Sequence, residues 1–172
     1  MYSQAGQDEW VLSLFKKGHK GTFLDIGCND PIAINNSLLL EKNGWKGVAF
    51  DKEDYSKAWK IRSTPFIQAD VLEYDFKQLK LPKVIDYLSL DIDDLGCNYK
   101  MMKRLIEIFD FKFKVITIEH NLYIGKKFNQ YERVPQRVLL SLVGYHLAVP
   151  DVACDDGLDN KFEDWWSNPK YV

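Results

Sequence analysis

The chain lacks the features that mark membrane, secreted or nucleic-acid-coating proteins. No apolar run approaches the roughly 20 residues needed to cross a bilayer. The opening "MYSQAGQDEW" has neither a basic stretch nor a continuous apolar one, so no span and no leader are expected. Cysteine is scarce. Cys28, Cys97 and Cys154 are odd in number, far apart and in no C-x-x-C arrangement. That argues against a disulfide framework and structural zinc, and for a reducing, cytoplasmic compartment. An excess of positive charge is also missing. With 23 Lys and Arg against 25 Asp and Glu, the formal charge is -2, and no whole-protein field draws the chain to nucleic acid or to an anionic membrane. Repeats, low-complexity tracts and linkers are absent too. At 172 residues and 46% hydrophobic, the sequence can bury one sizeable core, so residues 1–172 are expected to form a single domain.

What is present alternates between segments of period 3.6 and short runs rich in Val, Ile and Phe, the pattern of βαβ units and a mostly parallel sheet flanked by helices on both faces. Ser3 to Lys17 reads as an opening helix, "TFLDIG" as the first strand, and Pro31 as the first turn of a helix reaching Gly44. "GVAFD", "PFIQADV", "VIDYLSLDID" and "FKVITIEH" read as the second to fifth strands, with "YSKAWKIR" helical and residues 121–133 polar and irregular. Pro135 opens a last helix, and "YHLAVPDVA" is a sixth strand whose Pro150 argues for a sheet edge.

In open sheets of this kind ligands sit beyond the carboxyl ends of the strands, where strand order reverses. Here those ends are Asp25, Asp51, Asp70, Asp91 and Glu119, each a carboxylate. A single aspartate at such a place is often only a helix cap. Convergence of all five on one edge is harder to explain that way. A dinucleotide is a poor ligand for this edge: the second glycine of G-x-G-x-x-G is replaced by Asn29, and pyrophosphate is repelled by Asp25 and Asp30. S-adenosylmethionine (SAM) suits it better, having a sulfonium, an ammonium, a ribose and an adenine and no phosphate. Asp51 is placed for the ribose hydroxyls and Asp70 for the adenine amino group. Gly27 is expected where the backbone passes close beside the cofactor, so that an added side chain would block binding with little effect on the fold.

The ordered set "YSQAGQDEWVLSLF", "FLDIGCNDP", "NNSLLLEKNGWKGVAFDKE", "DYLSLDIDD" and "FEDWW" resembles the FkbM-type branch of the class I SAM-dependent methyltransferases over essentially the whole chain. The resemblance implies a Rossmann-like α/β fold and methyl transfer to hydroxyls of sugars or glycans. It also implies a cofactor site in which Asp25, Gly27 and Asn29 line the methionine end. Gln7, with Ser3 and Gln4, would come from an N-terminal helix over the pocket, and Ser37, Lys52 and Val71 would complete the set. The chain departs from the family pattern at the fourth strand, where Asp94 and then "LGCN" stand in place of a glycine.

A sugar hydroxyl is a weak nucleophile near neutral pH, so something must take or loosen its proton. Asp91, Asp93 and His120 are the candidate catalytic groups. Asp91, Glu119 and His120 are candidate ligands for Mg²⁺ or Mn²⁺, the other way of acidifying the hydroxyl. With no separate acceptor domain, the acceptor would be met by residues 121–133, by the N-terminal helix, by a second copy, or within a larger glycan-synthesis polypeptide or complex. Trp165 and Trp166 are expected in the core. Two rival readings are a catalytically silent SAM-binding module and a nucleic-acid methyltransferase. The second would call for a basic face where this chain has "DIDD".

Overall fold

The computed structural model describes residues 2–154 and 160–172. Strands β1 (Thr22–Ile26), β2 (Lys46–Asp51), β3 (Phe66–Gln68), β4 (Val84–Leu90), β5 (Lys112–Glu119), β6 (His146–Ala153) and β7 (Lys161–Ser167) form one sheet of order β3-β2-β1-β4-β5-β7-β6. β1 to β5 pair in parallel, and β7 runs antiparallel to both β5 and β6. Strand order reverses between β1 and β4, which fixes where a ligand crevice can open.

The seventh strand was not expected as a strand. Glu163 and Asp164 at the centre of "FEDWW" read as polar surface, yet all five residues are buried because β7 is covered on both faces and both edges. β6 takes the sheet edge, where Pro150 needs no ladder partner.

Helices α1 (Gln7–Ser13), α2 (Leu38–Lys42), α3 (Cys97–Glu107), α4 (Lys126–Phe128) and α5 (Val134–Leu142) are shorter than the sequence periodicity suggests. The helix expected from Pro31 begins only at Leu38, because polar side chains compete for its backbone. Asp30 accepts from the N–H groups of Ile32 and Ala33, and Asn35 from those of Ser37 and Leu38. Of residues 55–62, expected helical, only Ala58–Ile61 form a 3₁₀ turn. Residues 121–133, expected irregular, are helical instead: a 3₁₀ turn Leu122–Ile124, α4, and a π-helical Asn129–Arg133 that runs directly into α5.

Alternation along the strands divides the core in two. On one face Phe23, Tyr87 and Val115 pack with Val11 of α1 and Leu40 of α2. On the other, Leu24, Ile26, Leu88, Leu90, Ile116 and Ile118 pack with Met101, Met102 and Leu105 of α3 and with Leu140 of α5. Trp166 joins this second cluster and is 1% exposed, though its indole N–H has no partner. Trp166→Ala is therefore expected to cost about 3–5 kcal/mol. Trp166→Phe should cost well under half of that, since it keeps most of the apolar volume and removes an unsatisfied donor. Urea denaturation of the two variants checks the order.

Candidate functional site

The residues that build the crevice follow from strand register. Asp25 pairs with Ser89, Ser89 with Thr117, and Thr117 with Trp165. Two residues further toward the same edge lie Asp91, Glu119 and Glu163, the last two themselves a registered pair. Period-2 alternation therefore puts Asp25, Asp91, Glu119 and Glu163 on one face, the face that lower down carries Phe23, Tyr87 and Val115. An apolar wall below becomes an acidic one at the top.

Asp25 and Glu163 are held away from water, while Asp91 and Glu119 are half-buried. Asp25 is 2% exposed, and its Oδ2 has no hydrogen-bond partner. Burial pushes its pKa up, against the pull of Ser37 and Arg62. Burial, and then the charge of Glu119, raises Asp91 well above the ordinary carboxylate range. Glu119 is raised to about 7 by burial, although its hydrogen bond with Asp91 pulls the other way. Glu163 is raised to about 8, by burial first, although it accepts from Trp165 Nε1 and, at 3.0 Å, from Gln7 Nε2.

Around them lie two connected hollows. One, about 390 Å³, is lined by Gly27, Asn29, Asp51, Lys52, Asp70, Val71, Asp91 and Asp93 among others. The second, about 400 Å³, shares Gly27, Asn29, Asp91 and Asp93 and adds Asp25, Glu119, Asn121, Tyr123 and Ile124. Asp51 is oriented by the backbone: its Oδ2 accepts from Asn29 N–H and its Oδ1 from Glu53 N–H, both at 2.9 Å. Asn29 adopts φ 47° to make that turn, and its carbonyl accepts from Trp59 Nε1. The turn after β4 is clamped by Asn98, which accepts from Ile92 N–H and donates to Ile92 carbonyl oxygen. Glu132 in turn accepts from Asn98 N–H and Tyr99 N–H, capping α3. The glycine missing at Asp94 is supplied two residues later by Gly96, at φ 85°.

Several expected site residues sit elsewhere than the sequence reading put them. His120 is 0% exposed and does not line the crevice, so it reaches neither a base nor a ligand position beside Asp91 and Glu119. Neighbours along a strand point to opposite faces, and the register that sends Glu119 to the acidic face sends His120 behind it. There His120 Nε2 lies 3.5 Å from Asp164 Oδ1 and 3.6 Å from Asp151 Oδ1. This His120, Asp151 and Asp164 cluster has the residue types of a metal site. However, Arg133 forks onto Asp151, and Arg137 onto Asp164 with a further bond to Asp151, so both carboxylates already have cations.

Gln7 and Ser37 lie one layer back from the crevice. Gln7 is bonded to Glu163, while Ser37 Oγ donates to Asn35 Oδ1 and acts on Asp25 by lowering its proton affinity. Gly27 is a glycine for a different reason than expected. At φ 77°, an added Cβ would meet the Asp91 carbonyl oxygen at 1.6 Å, so the close neighbour is the protein's own β4 end and a side chain there would disturb the fold. Glu163, Asn98 and Glu132 went unnoticed in the sequence. Only the "FEDWW" motif pointed toward Glu163, and it gave no position in the sheet.

No family model matches the sequence, and no curated protein matches it. Solved structures do. A candidate S-adenosylmethionine-dependent methyltransferase from Listeria monocytogenes superposes with TM-score 0.62 at 11% identity, over 95% of this chain and 98% of that one. A candidate rRNA methylase from Clostridium thermocellum gives 0.63 at 14% identity, over 97% and 96%. The methyltransferase domain of bacterial CtHen1-C gives 0.60 at 15% identity, over 96% and 97%. The chain thus has the Rossmann-like fold shared by these class I methyltransferase structures.

Glu119 and Glu163 titrate far above the roughly 4.3 of an unfolded glutamate, so between those values the folded protein holds protons that the unfolded chain has lost. Their contribution to stability is present at low pH and is lost as pH rises through about 7 and about 8. The ligand-free melting temperature should fall between about pH 4 and about pH 8.5, the span from the unfolded to the folded values, and Glu163→Gln should flatten that fall. Differential scanning calorimetry across the series checks it.

Proposed function

We propose that the chain is a SAM-dependent O-methyltransferase acting on a hydroxyl of a sugar or glycan. The observation that carries the reading is the carboxylate-rich face at the switch point, where Asp25, Asp51, Asp70, Asp91, Asp93 and Glu119 line the two hollows and Lys52 is the one cation among the described lining residues, beside an Asp51 presented by backbone donors. The fold supports the activity class, and the acidity of the crevice favours an uncharged acceptor over a phosphate-bearing one.

The residues fit the cofactor. Asp51 would accept both ribose hydroxyls, its position already fixed by Asn29 and Glu53. Asp70 and Val71 line the same hollow, on the side suited to adenine. Asp25 offers a buried oxygen with no donor, a match for an ammonium group reaching it from the second hollow, which it lines. The cofactor supplies an electrophilic methyl group on a positively charged sulfur, a charge these acids favour. Tyr123 and Ile124 stand exposed at the second hollow, where a sugar ring would enter.

Removing the acceptor proton falls to Asp91 and Glu119, with Asp93 nearby. Asp91 and Glu119 face the same hollow, and each shifts the other's proton affinity, so a positive charge between them would be favoured. An all-oxygen donor pair suits Mg²⁺ or Mn²⁺, and such an ion would acidify the hydroxyl. His120 has no part in this proposal. The three cysteines form no disulfide with one another, which fits a cytoplasmic setting, and no helix among the described residues is long and apolar enough to cross a membrane. Chains of this fold also occur within larger polypeptides: the bifunctional kinase-methyltransferase WbdD superposes at TM-score 0.59 and 14% identity, over 94% of this chain and 37% of that one.

Asp51→Ala should weaken SAM binding by about 1–3 kcal/mol through loss of a charge-assisted contact, read by titration calorimetry. Unchanged affinity in a folded variant would put the cofactor elsewhere. Excess EDTA should abolish methyl transfer to sugar acceptors while leaving SAM affinity intact. Glu119→Gln should lower kcat far more than it raises KM. Full turnover in EDTA would leave Glu119 itself as the base.

A further inference from the structure

The second hollow opens where two strands part. The β4–β5 ladder ends with Leu90 opposite Ile118. Past that point Asp91 N–H donates to the Ile26 carbonyl oxygen of β1 at 2.9 Å, while His120 N–H donates to the Phe162 carbonyl oxygen of β7 at 2.7 Å. The two chains thus turn to opposite neighbours just where Asp91, Asp93 and Glu119 reach the hollow. Side chains span the gap behind them.

Asn98 of α3, Glu132 of the π-helical turn and Gln136 of α5 are polar and buried, at 1%, 1% and 0% exposure. The Asn98 side chain closes on both backbone groups of Ile92, accepting from its N–H at 2.8 Å and donating to its carbonyl oxygen at 3.0 Å. Glu132 accepts from the N–H groups of Asn98 and Tyr99, at 3.3 and 2.9 Å. Gln136 Nε2 donates to Glu132 Oε2 at 2.9 Å and to the Glu119 carbonyl oxygen at 2.8 Å. A continuous chain of hydrogen bonds therefore runs from Ile92, the residue between Asp91 and Asp93, to the backbone of Glu119. None of its three side chains lines either hollow, so it reaches the site only through the main chain.

Capping of α3 accounts for Glu132. It does not account for the bond from Asn98 to the Ile92 carbonyl, nor for that from Gln136 to Glu119. Gln136 also keeps its Oε1 buried without a partner among the described residues, a cost that an apolar side chain would avoid. Turning the amide over would only set that oxygen against two acceptors. What offsets the cost is the pair of N–H bonds, one to each side of the gap, and buried networks of this kind make the groups they hold rigid. We propose that Asn98, Glu132 and Gln136 are positioning residues that fix the separation of the Asp91–Asp93 turn from Glu119, a role that rests on the reading of the crevice as a methyl-transfer site. Misplacement of reacting groups by about an ångström can cost roughly 10²-fold in rate.

Gln136→Met keeps the length of the side chain and removes both donors. With SAM and a sugar acceptor it should lower kcat by roughly 10²-fold. Its dissociation constant for SAM should change by less than about threefold, because Asp51 on β2 lies outside the network. Asn98→Ala should act alike, and where it does not fold Gln136→Met decides. Leu105→Ala, a core variant that lowers the melting temperature without touching the network, should keep kcat within about twofold, which separates positioning from stability. Crystal structures of Gln136→Met and Asn98→Ala should show the Asp91–Asp93 turn displaced relative to Glu119 and the rest of the sheet unchanged. Full kcat in the folded variants, or Asp91, Asp93 and Glu119 unmoved in their crystal structures, would overturn the inference. Wild-type protein that binds SAM yet methylates no sugar would count against the acceptor named above, and the crystal structures would then decide the positioning role by themselves.

Discussion

The site depends on one constraint, that adjacent residues of a strand point to opposite faces while registered neighbours share one. β1, β4, β5 and β7 are in register, so a carboxylate near the end of each lands on the same side of the sheet. Asp25, Asp91, Glu119 and Glu163 are thereby gathered on one face, Asp25 and Glu163 buried and Asp91 and Glu119 half-buried at the hollow. Burial and mutual repulsion then raise their affinity for protons, and for any other positive charge that can enter.

The same constraint places a second set of charged groups directly behind, with the opposite outcome. His120 and Asp164 are chain neighbours of Glu119 and Glu163 and face α5, where Arg137 lies within 2.7 Å of Asp164 and Arg133 within 2.6 Å of Asp151. Acids on that side are matched by guanidinium groups, and Asp164 is held low. Acids on the crevice side have mainly the neutral donors Gln7, Trp165 and Ser37 for company, with only Arg62 pulling on Asp25 from behind. The sheet thus separates a balanced ionic cluster that ties β6, β7 and α5 together from an unbalanced one left open to a ligand. The latter fits a cationic cofactor, and the excess of carboxylate over a single sulfonium is the reason a metal ion enters the proposal.

Much of this was legible in the sequence. Apolar runs ending in acids gave the parallel strands and the edge on which a ligand belongs, and Pro150 marked β6 as an edge. What failed did so for physical reasons tied to particular residues. The helix after Pro31 was shortened by Asp30 and Asn35, whose side chains take backbone N–H groups that a helix would otherwise use. β7 was hidden because Glu163 and Asp164 look solvent-facing until the partners on each side of the strand are known. His120 was grouped with Glu119 by adjacency in sequence, although the alternation that joins Asp91 to Asp93 also separates those two. Gly27 was rightly singled out, but its crowding comes from Asp91, a contact 64 residues away by subtraction of the two positions and invisible without the fold.

The central claim is that the carboxylate face around Gly27 and Asp51 is a cofactor site. A crystal structure of the protein grown with S-adenosylhomocysteine tests it most directly. The account predicts ribose density within hydrogen-bond reach of the Asp51 carboxylate, adenine on the Asp70 and Val71 side, and the amino group directed at Asp25. Density in another cavity, or ligand-free crystals at saturating concentration, would contradict it.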